Sequence, residues 1–350
     1  MKTIEPKIRS VRKPARASVA TLIGLLASLA LTGCERPPMT TTQTGYRGTG
    51  IVDVQNPRLE AATAALQIAP VPLPPAPAVG PKASQVYRNV KVLGDLSVTE
   101  FTRTMQAMTN WVSPEQGCNY CHNPADLAAD DLYTKVVSRR MLEMTRHING
   151  DWKPHVAATG VTCYTCHRGQ PVPAAVWFDP PPQRQARGMA RGKDGQNTPL
   201  PVVGLTSLPN EVLKHYLSAA EPIRVVSQTA LPMTVKAVGM RPTEATYGLM
   251  FHMSESLGVN CTYCHNTRSF TAWDQGSPAR VTAWHGIRMV QDLNKGWLGP
   301  LQSVYPGTRL GPLGDAPKAN CLTCHRGASK PLNGAAMAGA YPGLSQPARP

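Results

Sequence analysis

Apolar residues recur at helical spacing in several stretches of the chain, most clearly over residues 99–111. Ser97 followed three residues later by Glu100 is a capping box, which marks the start of a helix. Three apolar side chains then share one helix face: Phe101, Met105 and Met108. The pattern predicts an amphipathic helix that ends near Pro114.

Three further stretches carry helical patterns, whereas strand patterns are weak throughout. These predicted helices cover residues 132–149, 242–256 and 281–294. Pro242 suits a first helical position, and Gly258 suits a helix end. The chain also holds 34 Pro and 29 Gly among 350 residues, so long irregular connections are expected. The predicted fold class is mainly α with long Pro/Gly-rich loops.

The N-terminal residues 1–33 have the layout of an export signal. Basic residues are followed by a run without charge from Ala17 to Cys34. The run ends in Leu-Thr-Gly-Cys, which resembles a bacterial lipoprotein processing site with Cys34 as the lipidated residue. The alternative is an uncleaved transmembrane helix, but the run is shorter than the roughly 20 residues that span a bilayer. Either interpretation predicts an exported and tethered protein.

Eight of the nine cysteines fall into four Cys-x-x-Cys-His units. The units are Cys118, Cys121 and His122; Cys163, Cys166 and His167; Cys261, Cys264 and His265; and Cys321, Cys324 and His325. This motif is the attachment signature of c-type haem, in which two thiols bond the porphyrin and the histidine ligates its iron. Four copies predict four covalent haems and leave no thiol for a disulfide.

Two other uses of paired cysteines fit the sequence less well. Zinc ribbons place their Cys-x-x-Cys pairs about 15–20 residues apart, and the pairs here are much farther apart. Thioredoxin-like redox motifs need a βαβ context, which the sequence does not predict. Haem attachment is therefore the favoured interpretation.

The second half of the chain repeats features of the first half. The first and third motifs end in Cys-His followed by Asn, and the second and fourth end in Cys-His followed by Arg-Gly. Arg-Met precedes the second motif of each half. We therefore predict a multihaem cytochrome c with two pseudo-repeated two-haem halves. The predicted segments are a Pro-rich arm over 34–82, the halves over 83–190 and 220–335, a connection over 191–219, and an irregular tail over 336–350.

The net charge of +15 does not indicate a nucleic-acid partner. Removal of the basic export signal lowers the charge to about +10, and the carboxylates of four haems would bring it close to neutral. The basic residues are thus explained by export and by cofactor charge.

Each haem iron needs a ligand on its second axial side. Five histidines lie outside the motifs: His147, His155, His215, His252 and His285. Met105 and Met250 lie on predicted helices that lead into haem motifs, and Met141 lies on the helix before the second motif. A methionine on an apolar helix face usually packs in the core, but the repeated arrangement of helix and motif favours ligation here. The neighbouring methionines stay open as alternatives: Met108, Met144 and Met253.

These motifs and their spacing resemble the tetrahaem cytochrome c subunit of purple-bacterial photosynthetic reaction centres. The resemblance covers about 83–335 and includes the lipoprotein-type start. It rests on Met105 before the first motif, on Met141 and His155 between the first and second, and on four runs: Gly-Val-Thr-Cys-Tyr-Thr-Cys-His-Arg-Gly, Thr-Tyr-Gly-Leu-Met, Asn-Cys-Thr-Tyr-Cys-His-Asn and Gly-Ile-Arg-Met.

The resemblance implies a set of axial ligand pairs. They are His122 with Met105, His167 with Met141, His265 with Met250, and His325 with His155 from the other half. Internal symmetry would instead nominate Met289 for the fourth iron. The family pattern favours His155.

The resemblance also implies a role and partners. Such a subunit is not an enzyme: it transfers electrons from a soluble periplasmic donor, a cytochrome c or a high-potential iron-sulfur protein, to the photo-oxidised bacteriochlorophyll special pair. It would bind the L and M subunits on the periplasmic face of the inner photosynthetic membrane, held by a lipid on Cys34. Its cofactors would be four c-type haems, and nucleic acid would not be a partner.

Two other functions fit the sequence less well. A membrane-tethered tetrahaem carrier that feeds a periplasmic reductase usually has two histidines at each iron, which fits the helix-borne methionines poorly. A catalytic multihaem enzyme needs an iron with an open sixth position, and each motif here has a candidate sixth ligand.

Overall fold

The computed structural model describes residues 38–181, 199–209, 211–223, 225 and 239–345. The predicted export signal and Cys34 lie outside the described residues, as does part of the connection over 191–219. The residues from Thr40 onward form one unit. In the described part of this unit, no helix is long and apolar enough to cross a membrane.

The described residues are mainly helical, as predicted. The helices are α1 (Pro57–Ala64), α2 (Ala83–Val86), α3 (Val98–Val112), α4 (Tyr133–Asp151), α5 (Lys153–Val156), α6 (Cys163–His167), α7 (Met240–Leu257), α8 (Pro278–Asp292) and α9 (Cys321–His325). The described strands are β1 (Thr40–Gln43) and β2 (Val52–Gln55), which form an antiparallel hairpin that pairs Thr40 with Gln55.

Helix α3 begins where the capping box predicted it. The hydroxyl of Ser97 accepts a hydrogen bond from the Glu100 amide at 3.2 Å, and Glu100 Oε2 accepts one from the Ser97 amide at 3.0 Å. The helix buries Ala107 and Trp111, and the Trp111 ring packs edge-on against Tyr341 at 4.7 Å. The predicted and observed ends differ by one residue.

The other long helices begin earlier or end later than predicted. Helix α7 begins at Met240, so that Pro242 is its third residue, and it ends at Gly258 with a left-handed φ of 65°. Helix α8 begins at Pro278 because Pro is tolerated in the first turn, where its missing N–H would have no helical partner. A π-helical turn, Leu293–Leu298, continues it.

Each half packs a long helix against its second haem motif. Helix α3 contacts α6, and α7 contacts α9. The Gly169 amide donates to the Trp111 carbonyl at 2.9 Å, and the Gly327 amide donates to the Ser256 carbonyl at 2.8 Å. These matching contacts agree with two related halves, and the duplication stays a prediction.

The segment before residue 83 differs from the extended arm that the sequence predicted. Its hairpin contacts the third motif, where Thr262 Oγ1 donates to the Val52 carbonyl at 2.7 Å. The Gln67 side chain, only 5 % exposed, donates to the carbonyls of His325 and Arg326, each at 3.0 Å. The N-terminal segment is therefore packed onto the haem motifs of the second half.

The residues after 335 are also packed rather than peripheral. Leu344 is fully buried, and its carbonyl accepts a hydrogen bond from Asn149 Nδ2 at 2.7 Å. Arg146 Nε donates to the Gly343 carbonyl at 2.8 Å. Short 3₁₀ turns (Met337–Ala340 and Pro342–Leu344) shape this segment. It closes the hydrophobic cluster around Trp111.

Replacing Ser97 by Ala should lower the free energy of unfolding by about 1 kcal/mol, because the α3 N-terminus loses its cap. Denaturant titration of the purified protein measures this change. Thr102→Ala, at an exposed position of the same helix, should stay within about 0.5 kcal/mol of the parent. Equal stability of Ser97→Ala and the parent would contradict the capping role.

Candidate haem-binding site

The four Cys-x-x-Cys-His units adopt two local conformations. The first and third form 3₁₀ turns, Gly117–Tyr120 and Cys261–Tyr263, while the second and fourth form the one-turn helices α6 and α9. Both one-turn helices end in a left-handed arginine, Arg168 and Arg326, followed by a glycine with positive φ. In this conformation the arginine amide donates a hydrogen bond to a carbonyl of the last turn and so ends the helix. The repeated His-Arg-Gly sequence corresponds to this repeated helix end.

Five imidazoles share one hydrogen-bonding arrangement. In each of them, Nδ1 lies within hydrogen-bonding distance of a backbone carbonyl oxygen. The pairs are His122 with Leu127 (2.9 Å), His155 with Thr282 (2.9 Å), His167 with Gln170 (2.9 Å), His265 with Phe270 (3.1 Å) and His325 with Ala328 (2.9 Å). The carbonyl lies five residues after the histidine in motifs one and three, and three residues after it in motifs two and four.

This arrangement leaves the other ring nitrogen, Nε2, able to bind a metal. A carbonyl oxygen only accepts hydrogen bonds, so Nδ1 must carry the proton, and Nε2 is left with a free lone pair. Histidines that ligate metals almost always donate their second N–H in this way, which fixes both tautomer and ring orientation. The five histidines are those that the sequence analysis assigned to iron.

Three of the four other histidines have polar side-chain partners instead. His147 lies between two carboxylates, with Nδ1 2.7 Å from Asp151 and Nε2 2.5 Å from Asp292. His215 Nδ1 lies 2.9 Å from Glu221, and His252 Nε2 lies 3.4 Å from the Ser256 hydroxyl. His252 also interacts with the Val202 backbone, but in all three rings Nε2 lies near a polar side chain and is not free for iron.

His155 faces His325, although the two residues belong to different halves of the chain. Their ring centroids are 6.0 Å apart. Two metal–imidazole bonds of about 2 Å each place the ligating nitrogens about 4 Å apart, with each ring extending outward. The observed separation therefore fits one iron between the two rings.

Helix α8 accommodates the His155 ring because residue 286 is glycine. A Cβ atom at Gly286 would lie 2.6 Å from Cε1 and 2.9 Å from Nδ1 of His155. Any side chain at residue 286 would displace the ring. Gly286 therefore positions His155, although the sequence analysis gave it no role beyond membership of the Gly-Ile-Arg-Met run.

Burial favours the neutral form of four imidazoles at the site. It lowers the pKa of His155, His167 and His265, and it lowers the pKa of His325 to about 4. The like charge of His155 further lowers the pKa of His325. Because only a neutral imidazole can ligate a metal, the lowered pKa values favour ligation at neutral pH.

A cavity of about 1360 Å³ connects the first, second and fourth motifs. Typical pockets for one small ligand measure about 300–1,000 Å³, so this cavity exceeds the size that one such ligand needs. Several methionines lie on its wall: Met105, Met108, Met141, Met144, Met253 and Met289. The cavity thus brings the predicted ligands Met105 and Met141 to the same space as His122 and His167, with their alternatives beside them.

The third motif is arranged differently. The His265 ring stacks on Phe270, with centroids 5.2 Å apart, and neither His265 nor Met250 is on the wall of the large cavity. Met250 packs against a cluster around Leu249, whereas Met253 lies on the cavity wall. The ligation of the third iron by Met250 therefore stays a prediction.

Comparison with known proteins identifies the family. The family profile of the photosynthetic reaction centre cytochrome C subunit matches residues 35–345. The chain belongs to this family. It is 54% identical over 327 residues to the photosynthetic reaction center cytochrome c subunit of Rubrivivax gelatinosus, covering 93% of this chain and 89% of that protein.

Two further family members show the same breadth of similarity. The subunit of Thermochromatium tepidum is 50% identical, over 95% of this chain and 81% of that protein. The subunit of Roseobacter denitrificans is 42% identical, over 93% and 92%. The chain is thus an electron-transfer component of a photosynthetic reaction centre rather than an enzyme, and it binds c-type haem.

The thiols of this cytochrome c subunit differ in burial. Burial raises the pKa of Cys121, raises that of Cys264 to about 11, and raises those of Cys163 and Cys321 to about 12. These four thiols are protonated at neutral pH.

One pair of thiols departs from the expectation that no disulfide forms. Cys166 and Cys324 are disulfide-bonded, with Cα atoms 4.4 Å apart. The pairing arises because α6 and α9 pack against each other. A sulfur atom that forms a disulfide cannot also form a haem thioether, so haem attachment at Cys166 and Cys324 stays a prediction.

Arg168 links the second motif, the fourth motif and the N-terminal segment. It donates to the Thr165 and Cys324 carbonyls, each at 3.0 Å, and to the Leu66 carbonyl. In the sequence, Arg168 stands out only as part of the repeated His-Arg-Gly run. Its hydrogen-bonding partners could not be predicted, because they depend on tertiary packing.

Gly286→Ala should displace the His155 ring and, if His155 is the predicted ligand, weaken its bond to the fourth iron. Second-shell changes at metal sites commonly cost about 10–100-fold in metal affinity or activity, and displacement of a ligand should cost at least as much. Electron paramagnetic resonance of the oxidised protein should show the loss of one low-spin signal with two imidazole ligands. Gly339→Ala, where an added Cβ meets nothing within 4 Å, is the control.

The same spectra distinguish His155 from Met289 as the ligand of the fourth iron. Met289→Leu should leave all four haem signals in place if His155 is the ligand. A lost signal in Met289→Leu, together with an unchanged spectrum in Gly286→Ala, would contradict ligation by His155.

Proposed function

We propose that this chain is the tetrahaem subunit that re-reduces the photo-oxidised bacteriochlorophyll special pair with electrons from a soluble periplasmic donor. Five imidazoles with Nδ1 held by a backbone carbonyl and Nε2 left free support the proposal most directly. Four belong to Cys-x-x-Cys-His motifs, which supports a count of four haems.

The residues that would hold the haems are those of the sequence analysis. Eight thiols would form the thioethers, and the axial pairs would be His122 with Met105, His167 with Met141, His265 with Met250, and His325 with His155. When bound, the haems supply reversible one-electron redox chemistry. The protein sets their potentials through axial ligands, hydrogen bonds and burial.

The contacts between motifs support a linear path for electrons. The second and fourth motifs are neighbours, since α6 packs against α9. The first motif contacts α3, which also contacts the second motif, and α7, which leads into the third motif, contacts the fourth. Electrons would enter at one end of this row and leave at the other.

The surface at the third motif fits a protein partner. Phe270, Trp273 and Trp284 lie on the third motif's loop and on α8, with exposures of 46%, 54% and 42%. Exposed aromatic side chains are typical of interaction surfaces. We assign this surface to the L and M subunits of the reaction centre.

The N-terminal chain also favours an orientation in which the third motif lies nearest the membrane. The hairpin that contacts the third motif begins at Thr40, six residues after Cys34. Six residues of extended chain span at most about 20 Å, so a lipid on Cys34 would keep this hairpin close to the membrane. The first motif would then be free to meet the soluble donor on the periplasmic side.

Flash excitation of native membranes should oxidise a c-type haem of this subunit while the special pair is re-reduced. In membranes from a strain that lacks the gene, the haem signal should vanish, and re-reduction of the special pair should slow. Time-resolved absorption at the haem α-band and at the special-pair band measures both. Normal re-reduction without any haem oxidation would contradict the proposal and would favour a carrier that feeds a reductase.

A further inference from the structure

A group of phenol and guanidinium side chains lines the large cavity and plays no part in the proposed iron ligation. Its members are Tyr120, Tyr133, Tyr305 and Arg309. Tyr120 belongs to the first haem motif, Tyr133 is the first residue of α4, and the other two come from the second half of the chain. The tyrosine–arginine group thus joins both halves at one wall of the cavity.

Tyr133 contacts each of the other three side chains. Arg309 Nε donates to the Tyr133 hydroxyl at 3.3 Å. The Tyr133 and Tyr305 rings pack edge to face, with centroids 6.3 Å apart. The Tyr120 and Tyr133 hydroxyls interact as well. The polar ends of the group therefore meet in one place.

The charge of Arg309 is not balanced by a carboxylate in the part of the chain that the structure describes. Other basic residues on the same cavity wall have acidic partners: Arg88 pairs with Asp126 at 3.2 Å, and Arg139 pairs with Asp130 at 2.8 Å. Arg309 has a phenol as its hydrogen-bonding partner instead. A cation at the edge of an apolar cavity favours an anion there.

The phenols are suited to donate hydrogen bonds to such an anion. Burial, together with the neighbouring phenols, raises the pKa of Tyr305 to about 12. Its hydroxyl therefore keeps its proton at neutral pH. A guanidinium beside protonated hydroxyls matches a carboxylate, which has two acceptor oxygens and no donor.

We propose that Tyr120, Tyr133, Tyr305 and Arg309 bind the propionate carboxylates of a haem held in the central cavity. The inference rests on haem binding by this family and not on the identity of the electron acceptor. Neutralising a propionate with Arg309 would raise the reduction potential of that haem, because a nearby positive charge disfavours the oxidised iron. The tyrosine–arginine group would thus both orient the porphyrin and adjust its potential.

The test is Arg309→Gln in the full-length holoprotein, followed by potentiometric titration and resonance Raman spectroscopy. One of the four midpoint potentials should fall, with about a tenfold change in its reduction equilibrium, which corresponds to about 59 mV for one electron. The propionate bending bands should shift. The haem count should not change, because thioether attachment does not depend on the propionates.

Tyr133→Phe separates loss of charge from loss of a hydrogen-bond donor. It should shift the same Raman bands with a smaller change in potential, and it gives a reading even if Arg309→Gln fails to accumulate. Arg288→Gln is the matched control: Arg288 lies on α8 near Trp284 and away from the cavity wall, and its loss should move neither signal.

Two results would overturn the proposal. The first is unchanged potentials and Raman bands in both Arg309→Gln and Tyr133→Phe. The second is an equal shift of all four haems, which would indicate a general change of structure or of surface charge. The flash experiment can succeed or fail independently of either result.

Discussion

The haem-binding site depends on one repeated contact, in which a backbone carbonyl oxygen lies beside Nδ1 of an imidazole. It occurs at all four motif histidines and at His155, and it fixes the tautomer that presents Nε2 to a metal. The carbonyl comes from a short loop directly after each motif, whereas for His155 it comes from α8. Tight turns after the motifs, such as the left-handed Arg168 and Arg326, are therefore part of the site.

The fold brings four of these imidazoles, all except that of His265, together around a cavity instead of around a large core of side chains. The three described hydrophobic clusters are separate, and residues of the motifs and methionines of the long helices line the same cavity. The N-terminal and C-terminal segments cover the motifs, through Gln67 and through the residues around Leu344. Haem would supply apolar bulk that the side chains alone do not provide.

The motifs, the long helices and the family could be predicted from sequence because their signals are local. The capping box at Ser97 and the Cys-x-x-Cys-His spacing need no tertiary information. The N-terminal segment was wrongly predicted to be an extended arm. Its proline-rich run is typical of such an arm, whereas its short hairpin and helix make their contacts with residues more than 200 positions away. Gly286 and the Cys166–Cys324 pair could not be predicted either, since both depend on which helices pack together. The choice of Met250 for the third iron still rests on family resemblance.

The central claim is that each of the four motifs binds one iron porphyrin covalently. The most direct measurement is the intact mass of the purified holoprotein after acid–solvent extraction, with haem iron determined on the same sample. The account predicts that four porphyrins stay attached to each chain, with one iron for each porphyrin. Fewer than four retained porphyrins, or zinc in place of iron, would contradict it.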